Sequence, residues 1–235
     1  KVTMLPIIAP EDFSIIAHRG ASAYAPENTT AAFKLAADMG ITEVELDAQL
    51  SADGKVVLCH DTFLDRYGHG HQQVEALTSD RLLSLDMGSW FSPFLYRGEK
   101  MITLDDLFER FKNRFTFHIE IKGCADNLPT AVNSRLNRWE IQNTCVITSF
   151  SFESLSKMQK LNADLRLAWL VEDINHNTLR EVRDINLFQL CPHVDRVTTE
   201  KVTSGRTVAC EIRAWGLTGP TFEVIERIKY AIHVG

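Results

Sequence analysis

The chain lacks a long apolar run, a basic excess, clustered cysteines and internal repeats. Each lack excludes something. A membrane-spanning helix needs about 20 consecutive apolar residues, and no stretch here approaches that length, so no integral membrane segment is expected. The formal net charge is -6, whereas binding a phosphate backbone calls for a basic face; no nucleic-acid partner is expected. Five cysteines, Cys59, Cys124, Cys145, Cys191 and Cys210, show no metal-ligand spacing and are odd in number. That pattern favours reduced thiols in a cytoplasmic protein. The first residues, Lys1 to Phe13, lack the basic, apolar and small-residue order of a signal peptide. The chain does not begin with methionine, so a processed, secreted form stays compatible with that start. With 235 residues, 45% of them hydrophobic and 24% charged, the composition suits one sizeable globular domain over 1–235. Nothing in it reveals an oligomeric state.

What is present concentrates at strand ends. Ile15-Ile16-Ala17 leads into His18-Arg19-Gly20, which puts a proton carrier and a permanent cation at the mouth of a fold. Glycine lets the backbone turn there. In ITEVELDAQL, Val44 and Leu46 face one way and Glu43, Glu45 and Asp47 the other, because strand side chains alternate. Like charges on one face destabilise a strand unless a cation joins them. Carboxylates without cysteine or clustered histidine favour a hard ion, Mg2+ or Ca2+. A solvated edge strand is the plainer alternative.

KVVLCHD brings His60 to the end of another apolar strand after an Asp53-Gly54 turn, with Cys59 as a packing residue. FTFHIEIKG alternates again, with Thr116, His118, Glu120 and Lys122 on one side. Glu120 and Lys122 either supply a further metal ligand and a cation or form a buried salt bridge. Two histidines, three carboxylates, an arginine and a lysine are the parts that metal-assisted attack on a phosphodiester requires.

The spacing predicts strands over Ser14–His18, Glu43–Ala48, Val56–His60, Thr116–Ile121, Cys145–Ser149, Arg166–Val171 and Ala209–Trp215. Helices are predicted over Thr29–Met39, with Asn28 or Thr29 as N-cap, and over Leu104–Lys112, Pro129–Trp139, Phe152–Leu161, Thr178–Asp184 and Phe222–His233. The alternation argues for a mainly parallel sheet with helical cover. Residues 62–104 fit it poorly and form an insertion. There Trp90, Phe91, Phe94 and Tyr96 either wall a pocket or anchor the insertion, and His69 and His71 are either solvated or a weak metal pair.

His18-Arg19-Gly20, Pro26-Glu27-Asn28-Thr29, Glu45-Leu46-Asp47, His60-Asp61 and Glu120-Ile121-Lys122, in this order, resemble the hallmarks of the glycerophosphodiester phosphodiesterase family. Weaker echoes follow at Gly88–Phe91, Ile102–Phe108, Thr148–Phe150 and Arg213–Trp215. The resemblance implies a distorted TIM (β/α)8-type barrel with a small insertion after the third strand. It implies metal ligands at Glu45, Asp47 and Glu120 and an acid–base pair at His18 and His60. It also implies substrate contacts at Arg19, Lys122 and Trp215. The implied reaction is metal-dependent hydrolysis of a small-molecule glycerophosphodiester to sn-glycerol 3-phosphate and an alcohol. A lysophospholipase D or sphingomyelinase-D-like activity on the same barrel, and a non-catalytic phosphate-binding protein, are the alternatives. Gly216-Leu217 depart from the family's polar residue after the tryptophan. The family's closing strand would follow Gly235, in a tail beyond the given sequence or as a gap in the barrel.

Overall fold

The computed structural model describes residues 15–235, and these divide into two compact units, Ile15–Ile147 and Thr148–Gly235. The predicted start of the first strand at Ser14, and the leader reading of residues 1–13, lie outside the described residues.

The first unit runs β1 (Ile16–Ala17), α1 (Thr30–Asp38), β2 (Glu43–Leu50), β3 (Val56–Leu58), α2 (Ser79–Ser84), α3 (Leu104–Phe111), β4 (Thr116–Ile121) and α4 (Leu128–Trp139). β2 lies parallel to β1 and to β4, in a register that sets Glu45 opposite His118 and Asp47 opposite Glu120. β3 returns antiparallel on β2, with Leu58 opposite Ala48. A tight reversal at Asp53-Gly54 therefore replaces the helix that a parallel crossover would need.

β2 and β4 bury both faces. On one, Val44, Leu46, Phe117 and Ile119 join Phe33 and Phe108 in the core. Phe108 stands edge-on to Phe117 with centroids 5.2 Å apart. Burying these apolar side chains stabilises the unit by about 1.5–3 kcal/mol each. On the other face Glu45, Asp47, Gln49, His118 and Glu120 are buried as well. That is costly unless each finds a partner, and it overrides the solvated-edge alternative.

α1 begins at Thr29, whose hydroxyl accepts from the Ala32 amide; α3 begins with a capping box between Thr103 and Asp106. Between β3 and α3, Leu64, Tyr67, Val74, Leu82 and Met101 form a separate buried cluster with Val57 and Cys59. Trp90, Phe91 and Tyr96 pack edge-on in series, and Trp90 lies against that cluster, so these rings anchor the insertion. Phe94 differs: it is 94% exposed.

β5 (Cys145–Ser149) carries the chain into the second unit. There follow α5 (Phe152–Leu161), β6 (Arg166–Val171), α6 (His176–Glu181), β7 (Leu187–Pro192), α7 (Thr199–Gly205), β8 (Glu211–Ile212) and α8 (Thr221–Val234). β7 pairs in parallel with both β6 and β8.

Three expectations need correction here. β7 and α7 were not foreseen. LFQLCP carries no clean alternation because it is buried on both faces, and TEKVTSG holds β-branched and glycine residues with poor helix propensity. The strand predicted over Ala209–Trp215 shrinks to Glu211–Ile212, with only Trp215 rejoining through a bridge to His193. α6 starts earlier than predicted, at the Asn175 cap, and its end tightens into a 3-10 turn over Val182–Asp184.

No disulfide links any of the five cysteines among the described residues. Burial pushes the Cys59 thiol up to about 12, consistent with a packing role. Among the described residues no helix is long and apolar enough to cross a membrane.

Candidate active site

β1 ends in a reversal whose backbone the sequence dictates closely. Arg19 sits at φ 59° and Gly20 at φ 78°. A Cβ on Gly20 would come within 2.8 Å of the Ala32 backbone carbon, so glycine is required there by space as well as conformation. Asn28, at φ 56°, closes the same loop with its amide donating to the Arg19 carbonyl at 3.0 Å. Left-handed non-glycine residues cost energy and persist where surrounding bonds hold them.

Those bonds reach the carboxylates. The Arg19 amide donates to Glu45 Oε2 at 3.0 Å. The Asn28 side chain donates to Asp47 Oδ2 at 2.9 Å and accepts from the Asp47 amide at 3.3 Å. Arg19 Nε stands 3.2 Å from Asp47 Oδ2, and its Nη1 donates to Glu27 Oε2 at 3.0 Å. The Arg19 guanidinium thus shares its charge between two carboxylates. Lys122 Nζ donates to Glu120 Oε1 at 3.0 Å, so the salt-bridge alternative and proximity to the acidic group hold together.

Glu45, Asp47 and Glu120 can each present one carboxylate oxygen such that all three lie within 4.8 Å of one another. Among the described residues no other such grouping exists. All three are buried, and Asp47 Oδ1 has no hydrogen-bond partner. An orphaned buried carboxylate oxygen is expensive. Burial, and then the nearby Asp47 charge, push the Glu120 carboxyl upward. An oxygen-only donor set with an unsatisfied anionic atom fits a hard divalent cation.

Two imidazoles lie near this group. His18 Nε2 lies 3.8 Å from Glu45 Oε2. Burial and then the Arg19 charge push its ring down to about 4, against Asp47 and Glu27. With 62% of the side chain still open to solvent, water screens part of that effect; the ring is neutral at pH 7 in either case. His60 is close enough for its charge to act on both His18 and Glu120. Its Nδ1 is 2.6 Å from Asp61 Oδ1. Burial works to raise the Asp61 carboxyl, but hydrogen bonds from Arg66 and His60 prevail and hold it down at about 2. An ionised carboxylate only accepts, so Asp61 selects the His60 form with a proton on Nδ1. Gln49 Nε2, from β2, donates to the carbonyls of Cys59 and Asp61 on either side of His60.

The structure brings His18, Arg19, Glu45, Asp47, Glu120, Lys122 and His60 together in the first unit. Trp215 belongs to the second unit, where its ring lies edge-on to His193 and to Phe150. Gly216 explains the departure from the family pattern locally, since a side chain there would meet the His193 ring. Glu43 leaves the acidic group and pairs with His118 at 2.8 Å. His69 bonds the Asp86 carbonyl while His71 stacks on Phe63 and pairs with Asp65, so the two do not converge. Sequence reasoning placed Glu27, Asn28 and Asp61 in the family hallmarks, and Asn28 as a candidate N-cap, without a role in the site; it passed over Arg66 and gave Tyr67 no role. They sit outside the regular strands and helices, where periodicity is silent, so only the motif resemblance pointed to the first three.

The profile of the glycerophosphoryl diester phosphodiesterase family matches residues 18–218. A Bacillus subtilis glycerophosphodiester phosphodiesterase is 33% identical over 181 residues, 71% of this chain and 62% of that protein. YhdW, also of Bacillus subtilis, is 38% identical over 149 residues, 63% of this chain and 61% of that protein. The chain thus spans about three-fifths of the length of these curated relatives. An Oleispira antarctica phosphodiesterase, solved with its product sn-glycerol-3-phosphate, superposes with a TM-score of 0.84 at 25% identity. The match covers 98% of this chain and 90% of that one, which places the chain in the expected α/β barrel class.

Proposed function

Since the chain belongs to the glycerophosphoryl diester phosphodiesterase family, we propose that it hydrolyses small-molecule glycerophosphodiesters to sn-glycerol 3-phosphate and an alcohol. We take 1–235 as one catalytic domain and 62–104 as its insertion. The observation that carries the reading is the buried trio Glu45, Asp47 and Glu120, with an unpartnered Asp47 oxygen. These carboxylates would hold Mg2+ or Ca2+. Such an ion, when bound, supplies charge neutralisation for phosphoryl oxygens and acidifies a bound hydroxyl.

His18 and His60 divide the proton work. A neutral imidazole takes a proton from the nucleophile and an imidazolium returns one to the leaving alkoxide. His60, its tautomer set by Asp61, presents Nε2 for that purpose. Arg19 and Lys122 bring positive charge for the phosphate, and Trp215 is carried over from the family pattern as a substrate contact. Trp215→Ala raising KM with kcat unchanged would support that contact; an unchanged KM would remove it.

The deciding assay follows glycerol 3-phosphate release from glycerophosphocholine in EDTA and after addition of Mg2+ or Ca2+. Turnover restored by the ion is the expected result. Equal turnover in EDTA would overturn the metal requirement, and none under any condition would overturn the reaction.

A second reading, a lysophospholipid-directed phosphodiesterase, draws on one observation. Tyr24, Phe94 and Leu95 are exposed, and the Tyr96 hydroxyl ties the Phe94 loop to the Tyr24 carbonyl at 2.8 Å. Faster turnover of long-chain than of deacylated substrate would favour it.

A further inference from the structure

The insertion sends one side chain back to the catalytic loops. Arg66 lies in the single turn Asp65–Tyr67, just after β3. Its Nε donates to Asp61 Oδ2 at 2.7 Å and its Nη2 to Asp61 Oδ1 at 3.1 Å. The adjoining edge of the same guanidinium, which shares Nη2, reaches Glu27, with Nη2 at 2.6 Å from Oε1 and Nη1 at 3.2 Å from Oε2. Two carboxylates from loops far apart in sequence are thereby joined through one planar fork. Asp61 is the partner of His60 Nδ1, and Glu27 is the partner of Arg19.

The fork itself is held. The guanidinium carbon lies 4.6 Å from the Tyr67 ring centre and 5.0 Å from that of Trp90. The Tyr67 hydroxyl accepts from Arg66 Nη2 at 2.7 Å and donates to Glu27 Oε1 at 2.9 Å. Tyr67 is buried in the insertion's own apolar cluster with Leu64 and Val74. Bidentate pairing and ring stacking use properties that lysine lacks.

We propose that Arg66 is a positioning residue for the acid–base chemistry: by gripping Asp61 against Glu27 it fixes the orientation of the His60 ring. The inference rests on the phosphodiesterase reading above. Arg66 touches no reacting atom. A rotated imidazole lowers turnover without removing a single group from the site, since small misplacements cost large factors in rate.

A double-mutant cycle tests this with glycerophosphocholine as substrate. Arg66→Gln is expected to lower kcat by about 10- to 10²-fold while KM changes far less. In a His60→Ala background the same substitution should cost about twofold or less, because the ring it orients is gone. Arg66→Lys should stay impaired, as one ammonium cannot bridge two carboxylates. If Arg66→Gln does not fold, as judged by its melting transition, Arg66→Lys carries the same cycle. Wild-type kcat in Arg66→Gln, full rescue by lysine, or an equal loss in both backgrounds would overturn the proposal. An inactive wild-type protein would instead overturn the reaction, so the two failures are distinct.

Discussion

The strands of the two units differ in what they bury. In the first, β2 and β4 enclose Glu45, Asp47, Gln49, His118 and Glu120. In the second, β6 buries no charged or amide side chain and β7 only Gln189, whose amide donates to Glu211 at 2.7 Å. A strand that hides two carboxylates opposite a third does not maximise stability, since like charges out of water repel and lose hydration. The difference teaches that the first unit has spent stability on a charged cluster, while the second behaves as conventional apolar framework around its strands.

The sharpest way to break that comparison is to remove the carboxylate whose Oδ1 has no hydrogen-bond partner. Asp47→Ala should reduce turnover by about 10³-fold or more, the loss of several kcal/mol of charge stabilisation. It should also abolish any rise in melting temperature on adding Mg2+ or Ca2+; a variant that still responds to the ion would remove Asp47 from the ligand set. Next come the imidazoles: His18→Ala and His60→Ala should each lower kcat by about 10²-fold, measured by glycerol 3-phosphate release. A near wild-type rate would take that histidine out of the mechanism.

The second unit should respond differently. Leu190 in β7 is fully buried, and Leu190→Ala should cost about 2–5 kcal/mol in urea unfolding while the folded protein keeps its kcat. A kcat collapse with little loss of stability would erase the division of labour between the two regions.

Acid sharpens the picture further. Asp61 is held down at about 2, and Glu27 is lowered as well because the Arg66 and Arg19 contacts outweigh burial. Between those depressed values and the ordinary carboxylate range the unfolded chain binds more protons than the folded one, so unfolding free energy rises with pH there. Their contribution should be fully present above about pH 4 and should fade as pH falls toward about 2. Arg66→Gln should flatten that slope, and an unchanged profile would count against the ion-pair grip. The smallest effect is expected at the half-buried Arg227 of α8, whose partner is Asp195. Its alanine variant should shift stability by about 0.5 kcal/mol or less.

How much was legible in the residues follows the same divide. Alternation in ITEVELDAQL and FTFHIEIKG exposed β2, β4 and the acidic trio, because each of those strands puts one residue type on each face. β7 defeated the same reasoning by being buried on both. Arg66, and the bond from Asn28 to Asp47, escaped for another reason: they depend on φ angles and on contacts across dozens of positions, which carry no period. Glu43 shows the limit of counting charges on a face, since it shares the side of Glu45 and Asp47 yet spends itself on His118.

The antiparallel return of β3 has a consequence of its own. The second imidazole arrives on a ribbon folded back along β2, and Gln49 of that strand clasps the chain on both sides of it, so His60 is tied to the strand that carries Glu45 and Asp47. Relatives could therefore lengthen, shorten or rewrite the neighbouring excursion with little penalty, so long as one cationic fork still reaches home.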